Sequence, residues 1–229
     1  MSSKLLKMSS LTKKFTMALA GLFLIVFLLV HMGINLFIMP IAENHEEVFR
    51  AAVEFMTTNP LIEVMENVLM LTFLIHIVLG ITLQIQNWMA RPTRYAVCQK
   101  SAVASPFSRF MIHTGVIIGV FLTIHFINFY FVKEGYLDIP QLGPNPVNGE
   151  TDFYNMAINL FSMPLYSIFY IVLISGLGFH LHHAFQSAFQ SLGLNHPTYT
   201  PVIKWAGLIY SVVVTLGFIS IPLYFLLIK

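Results

Sequence analysis

The sequence predicts an all-α integral membrane protein, a bundle of five transmembrane helices, and three observations lead there. Hydrophobic residues make up 57% of the chain and charged residues only 10%, against about 25% charged in soluble domains, and the mean hydropathy is +0.77. Five apolar runs each exceed the roughly 20 residues that cross the hydrocarbon as a helix. Four of those runs carry a histidine well inside them: His31, His76, His125 and His180. A titratable ring at bilayer depth costs roughly 2–3 kcal/mol or more, so one on each of four helices points to a shared ligand. Iron in haem, held between imidazoles of facing helices, is the natural candidate.

The first span covers about 15–39. Lys4, Lys7, Lys13 and Lys14 precede it and Pro40 closes it. It is too long for a cleavable signal peptide and lacks a small-x-small end, so it reads as an uncleaved span. Asn59-Pro60 opens the second, 61–88, and Arg91-Pro92 follows it. Ser105-Pro106 opens the third, 108–132. Pro140, Pro144 and Pro146 make the stretch from Lys133 to Asp152 an irregular loop. The fourth span is 163–189, and Pro197 and Pro201 punctuate the way to the fifth, 202–228. Proline fixes φ and lacks an N–H, which is why it marks these boundaries. The 229 residues form one domain, 1–229, with little room for a soluble catalytic unit. The single cysteine, Cys98, cannot form an internal disulfide, and it excludes an iron–sulfur cluster held by this chain alone, because such clusters take four cysteine ligands.

Charge suggests the orientation. With the N-terminus cytoplasmic, the inner face holds Lys4, Lys7, Lys13, Lys14, Arg91, Arg94, Lys100, Arg109 and Lys204, and the outer face only Arg50, Lys133 and Lys229. Nine against three is a clear positive-inside bias. All ten acids fall on the outer side, which leaves a basic cytoplasmic surface for a soluble partner. No nucleic-acid partner is implied; the other surroundings are membrane lipid.

Residue counts convert to depth at 1.5 Å per residue. His31 and His125 both lie about 25 Å from the cytoplasmic ends of their spans, His76 about 18 Å and His180 about 14 Å. The four sort into an outer pair, His31 with His125, and an inner pair, His76 with His180. Two such layers suggest two bis-histidine haems stacked across the membrane. Gly80, four residues after His76, and Gly176, four before His180, share their histidines' helical faces. They either let a porphyrin approach the backbone or serve ordinary small-residue helix packing. His45 and His196 fall in loops and read as solvated. His113 is turned about 120° from His125; beside Arg109, it can reach a haem propionate or the headgroups. His182 is turned some 200° from His180, whereas His183 shares His180's face. Position leaves His180 and His183 undecided, with depth slightly favouring His180.

The residues resemble the cytochrome b membrane-anchor subunit of succinate dehydrogenase and fumarate reductase, of the five-helix, two-haem type. The resemblance runs from about Phe15 to the end. It rests on His31-Met32-Gly33-Ile34-Asn35-Leu36-Phe37, Phe55-Met56 followed by Pro60, Leu74-Ile75-His76 with Gly80, Thr123-Ile124-His125-Phe126, and the block from Gly178 to Phe185. It implies that His76 and His180 are axial ligands of the haem nearer the cytoplasm, and His31 and His125 of the outer one. It also favours His180 over His183, because the Phe-His pair carries the ligand in that segment. The extra His182-His183 pair departs from the pattern. The implied activity is electron transfer through two haem b groups. Succinate/fumarate chemistry would sit on a flavoprotein subunit, and an iron–sulfur subunit would relay electrons to this chain. A quinone, expected to be menaquinone, exchanges them with the outer haem. The implied setting is the bacterial cytoplasmic membrane.

Arg91, Arg94, Lys100 and Arg109 lie where inner propionates or the partner subunit can use them, as do His113 and His183. Glu66, deeper in the apolar run than Glu63, is the candidate carboxylate for quinone-coupled proton transfer. Asn35, one turn beyond His31, is a candidate hydrogen-bond partner for the outer haem or the quinone. Three other readings compete: an anchor cytochrome b of another quinone-linked oxidoreductase, a non-haem proton-conducting protein, and a structural anchor without haem. Anchors of the first kind tend to place two ligands on one helix, and here they fall one per helix. A proton path calls for carboxylates or lysines at depth, and these spans hold none beyond Glu63 and Glu66 near one end. A bare anchor leaves the paired histidines unexplained.

Overall fold

The computed structural model describes residues 9–90, 110–139 and 151–228. Every regular element among them is helical. Five helices are long and apolar enough to cross a membrane, so the chain is a multi-pass membrane protein. Arg91, Arg94, Cys98, Lys100, Arg109 and the prolines at 140, 144 and 146 lie outside the described residues.

Helix α1 (Ser10–Asn35) starts where the Ser9 hydroxyl accepts from the Thr12 N–H at 3.1 Å, satisfying one of the open donors of the first turn. A single 3₁₀ turn, Leu36–Ile38, ends it. Met39 is extended, with ψ 153°, as the residue before Pro40 must be. Helix α2 (His45–Thr58) is short and amphipathic, with Glu46 and Glu47 in its first turn, where carboxylates favour the positive end of the helix dipole. Asn59 separates it from α3 (Pro60–Met89) and serves both helices. It is extended before Pro60, which stops α2, and its Oδ1 accepts from the Leu61 N–H at 2.9 Å, which starts α3. Pro60 at the first helical position needs no donor.

Helix α4 (Met111–Lys133) changes character immediately after His125. Residues Phe126–Tyr130 form a π turn before α-helix resumes. Helix α5 (Phe153–Phe161) is capped by Asp152, whose Oδ1 accepts from the Asn155 N–H at 3.1 Å. Helix α6 (Pro164–Ser191) begins with proline and runs out before Gly193, at φ +81°. Helix α7 (Thr200–Ile228) holds Pro222 within it. The five spans match those read from the sequence to within a few residues, but α2 and α5 were not anticipated. His45, read as a solvated loop residue, opens α2; its ring is part-buried beside Tyr154 and its Nδ1 lies 3.1 Å from the Phe37 carbonyl.

The side chains that meet fix the topology. Met17 faces Gly80 and Gly21 faces His76, so α1 and α3 are antiparallel. Phe73 meets Phe126 and Glu66 meets Lys133, so α3 and α4 are antiparallel too. Gly115 faces His180 and Phe121 meets Tyr170, reversing α4 against α6. Gly207 faces Phe185 and Gly178 faces Thr215, reversing α6 against α7. Tyr210 donates to the Ile25 carbonyl and Gly217 faces Met32, so α1 and α7 run parallel.

The core has two parts. Ile25, Met32, Leu177, Leu181 and Val214 join α1, α6 and α7 at mid-bundle. A larger cluster at one end packs α2 and α5 over the spans through Phe49, Tyr154, Leu160, Phe161, Tyr170 and Phe225. Helix α3 buries only Leu69 and Leu79 and turns most of its surface outward, as a lipid-facing span does. Trp88 and Trp205 are exposed at the opposite end from α2, in the manner of an interfacial aromatic belt.

Candidate functional site: two layers of paired histidines

Antiparallel packing brings the four span histidines together two by two. His76 of α3 and His180 of α6 form one layer, with ring centroids 6.3 Å apart and planes at 68°. His31 of α1 and His125 of α4 form the second, at 5.8 Å and 84°. Along α1, His31 lies ten residues beyond Gly21, which faces His76, so the layers are about 15 Å apart along the axis. It is the ring of His180 that meets His76.

The layers differ in their surroundings. The first is flanked by glycine: a Cβ on Gly21 would lie 3.8 Å from His76 Cε1, and one on Gly115 would lie 4.0 Å from His180 Cε1. Thr114, beside Gly115, places its Oγ1 3.2 Å from His180 Nδ1. The second layer is boxed by aromatic rings. Phe27 stacks on His31 at 5.2 Å, Phe121 stacks on His125 at 5.7 Å, and Phe129 and Phe218 close the sides. The Asn35 amide donates to the His31 carbonyl at 2.7 Å and lies 3.3 Å from His31 Nδ1. Asn128, buried in the π turn, donates to the Tyr170 hydroxyl at 3.0 Å, and Tyr170 packs edge-on against Phe121.

A metal–imidazole bond is about 2 Å, so rings on opposite sides of one metal have centroids roughly 6 Å apart. Both pairs have that spacing. The Nδ1 atoms of His76 and His125 are buried without a hydrogen-bond partner, an expensive state for a polar atom. Among the described residues, no three metal-ligating side chains cluster. Two imidazoles do not fill the coordination sphere of a common metal, so a metal held by either pair would need further ligands from elsewhere.

The other sequence candidates spread out. Glu66 is part-buried and ion-paired: Lys133 Nζ donates to both its oxygens at 2.7 Å and also contacts Glu134 at 3.1 Å. That cluster lies eight residues past His125 on α4, about 12 Å beyond the second layer. Asn35 is engaged with its own helix at His31. His113 is exposed beside Phe110, and His183 is half-buried one turn past His180. His196 is exposed, as a loop residue should be. Gly80 and Gly176, read as possible porphyrin clearance, face Met17 and Ile117 and serve helix packing. The glycines that border the first pair, Gly21 and Gly115, were missed along with Thr114. Carrying the depth count to small and hydroxyl residues on the partner spans would have found them.

No family model matches this chain, and no curated protein or solved structure matches it.

Proposed function

We propose that this chain is a dihaem cytochrome b that anchors a respiratory oxidoreductase and carries electrons between a soluble partner and quinone. The observation that carries the reading is the double layer: two histidine pairs, each drawn from two helices, with ring centroids 5.8 Å and 6.3 Å apart. His76 with His180, and His31 with His125, would hold one haem b each. Bound there, haem would supply the reversible one-electron chemistry.

The residues themselves hold and insulate. All four histidines are partly buried within the bundle, and the aromatic box of the second layer lowers its polarity, a lever on potential. The succinate dehydrogenase and fumarate reductase type is favoured within this reading by the order and spacing of the motifs from His31 to Phe185. A flavoprotein and an iron–sulfur subunit are then the soluble partners, docking on the basic face. Quinone, of the menaquinone class, works at the Glu66 side, and the N-terminus is cytoplasmic in a bacterial inner membrane.

A dithionite-reduced minus oxidised spectrum of the purified chain tests this directly. Paired b-type bands with about two haems per chain are the expected result, and absence of haem absorbance overturns the reading. His76→Ala or His180→Ala should remove one haem and leave the other. Retention of both haems in either variant would show the pairing to be wrong.

A further inference from the structure

Each layer has one histidine whose Nδ1 meets a polar side chain, His180 at Thr114 and His31 at Asn35, and one whose Nδ1 is buried and unpartnered, His76 and His125. The two polar partners are chemically opposite. The Thr114 Oγ1 lies 3.2 Å from the Phe110 carbonyl and 3.0 Å from the Met111 carbonyl of its own helix. A carbonyl only accepts, and a hydroxyl proton given to either of them is not available to His180. What Oγ1 has left to offer His180 is a lone pair. With the proton so placed, the Nδ1 of His180 carries its hydrogen and donates it to Thr114, the tautomer that leaves the Nε2 lone pair free for a metal. Asn35 instead places its amide nitrogen 3.3 Å from His31 Nδ1, and an amide nitrogen does not accept, so it cannot take a ring hydrogen as Thr114 does.

We propose that Thr114 is the positioning residue of the first layer. It fixes the tautomer and ring orientation of His180 for metal ligation at Nε2, and it makes this imidazole the stronger electron donor of its pair. The inference rests on the haem reading above. An accepting group behind a ligating imidazole raises its basicity and holds its orientation, and losing such a group costs about 10–100-fold in metal affinity. A stronger donor favours ferric over ferrous iron, so Thr114 lowers the potential of the first layer and not of the second. Gly115, the next residue, brings no side chain against the His180 ring; a Cβ there would lie 4.0 Å from its Cε1.

The test is redox titration and EPR of the full chain in its membrane complex, comparing wild type with Thr114→Val and Thr114→Ser. Valine keeps the shape and removes the oxygen; serine keeps the oxygen. The expected result for Thr114→Val is a rise of one midpoint potential alone, with a changed low-spin signal for that haem. A tenfold change in ferric preference is 59 mV for a one-electron couple. Thr114→Ser should restore the wild-type value. Loss of one haem in the valine variant with retention in the serine variant supports the proposal equally. If wild type binds no haem, the parent reading falls. If wild type binds two haems and valine leaves both potentials and signals unchanged, or valine and serine do equal damage, Thr114 has no such role.

Discussion

A single atom decides several positions in this bundle. At Gly178 an added Cβ would sit 2.5 Å from Thr215 Oγ1 and 3.0 Å from its Cγ2. Thr215 cannot yield easily, because its hydroxyl donates to the Ser211 carbonyl at 2.6 Å. Gly178→Ala should therefore destabilise by about 1–3 kcal/mol, the ordinary cost of overpacking. Gly33 has nothing within 4 Å of the same added atom, so Gly33→Ala should be neutral or gain up to about 1 kcal/mol of helix propensity. Thermal midpoints of the two variants in detergent check the contrast; equal shifts would refute it. This scale was the least legible in the sequence. The four histidines stand out because a polar ring in an apolar run is conspicuous. Thr114 and Gly115 look like any other small residues until the register of α4 against α6 is known.

Among the elements, hydropathy located the five spans because each is a long uninterrupted apolar run. It was silent on α2, where charged residues interrupt a short apolar stripe, and on α5, which is apolar but only nine residues long. These two helices are joined by charge. Arg50 Nη1 donates to Asp152 Oδ1 at 2.9 Å while its Nε donates to Glu46 at 2.9 Å, and its guanidinium lies over Tyr154. Burial pushes the Asp152 carboxyl up, but the hydrogen bonds from Asn155 and Arg50 outweigh it and hold the group below its ordinary value. A depressed carboxyl contributes its full stabilisation above the unfolded value, about 3.9, and loses it as pH falls through the folded one. For a pair this exposed the contribution is about 0.2–1 kcal/mol. Hydrogen exchange at the Asn155 amide should show protection that is flat down to about pH 4 and falls below it. Asp152→Asn should abolish that acid step; an identical acid profile in the variant would assign the step to another group.

At the scale of the molecule, alternation of the spans puts α2 and α5 at one face and the turn after α6 at the other. The proposed orientation, taken from the positive-inside bias, places the α2 face outside. With Cys98→Ser as background, Thr57→Cys should react with an impermeant maleimide in intact cells, and Pro197→Cys only after permeabilisation. The reverse pattern would invert the topology, and labelling of both in intact cells would break the alternation. The histidine layers also impose an order in time. Neither pair joins neighbouring spans: His31 of α1 waits for α4, and His76 of α3 waits for α6. As the chain emerges, the second layer can close when three spans are in the membrane, while the first stays open until a fourth arrives. The bundle is therefore clasped from its Glu66 side toward its Trp88 side, and α7, which brings no histidine to either layer, seals a structure whose crossings have already been made.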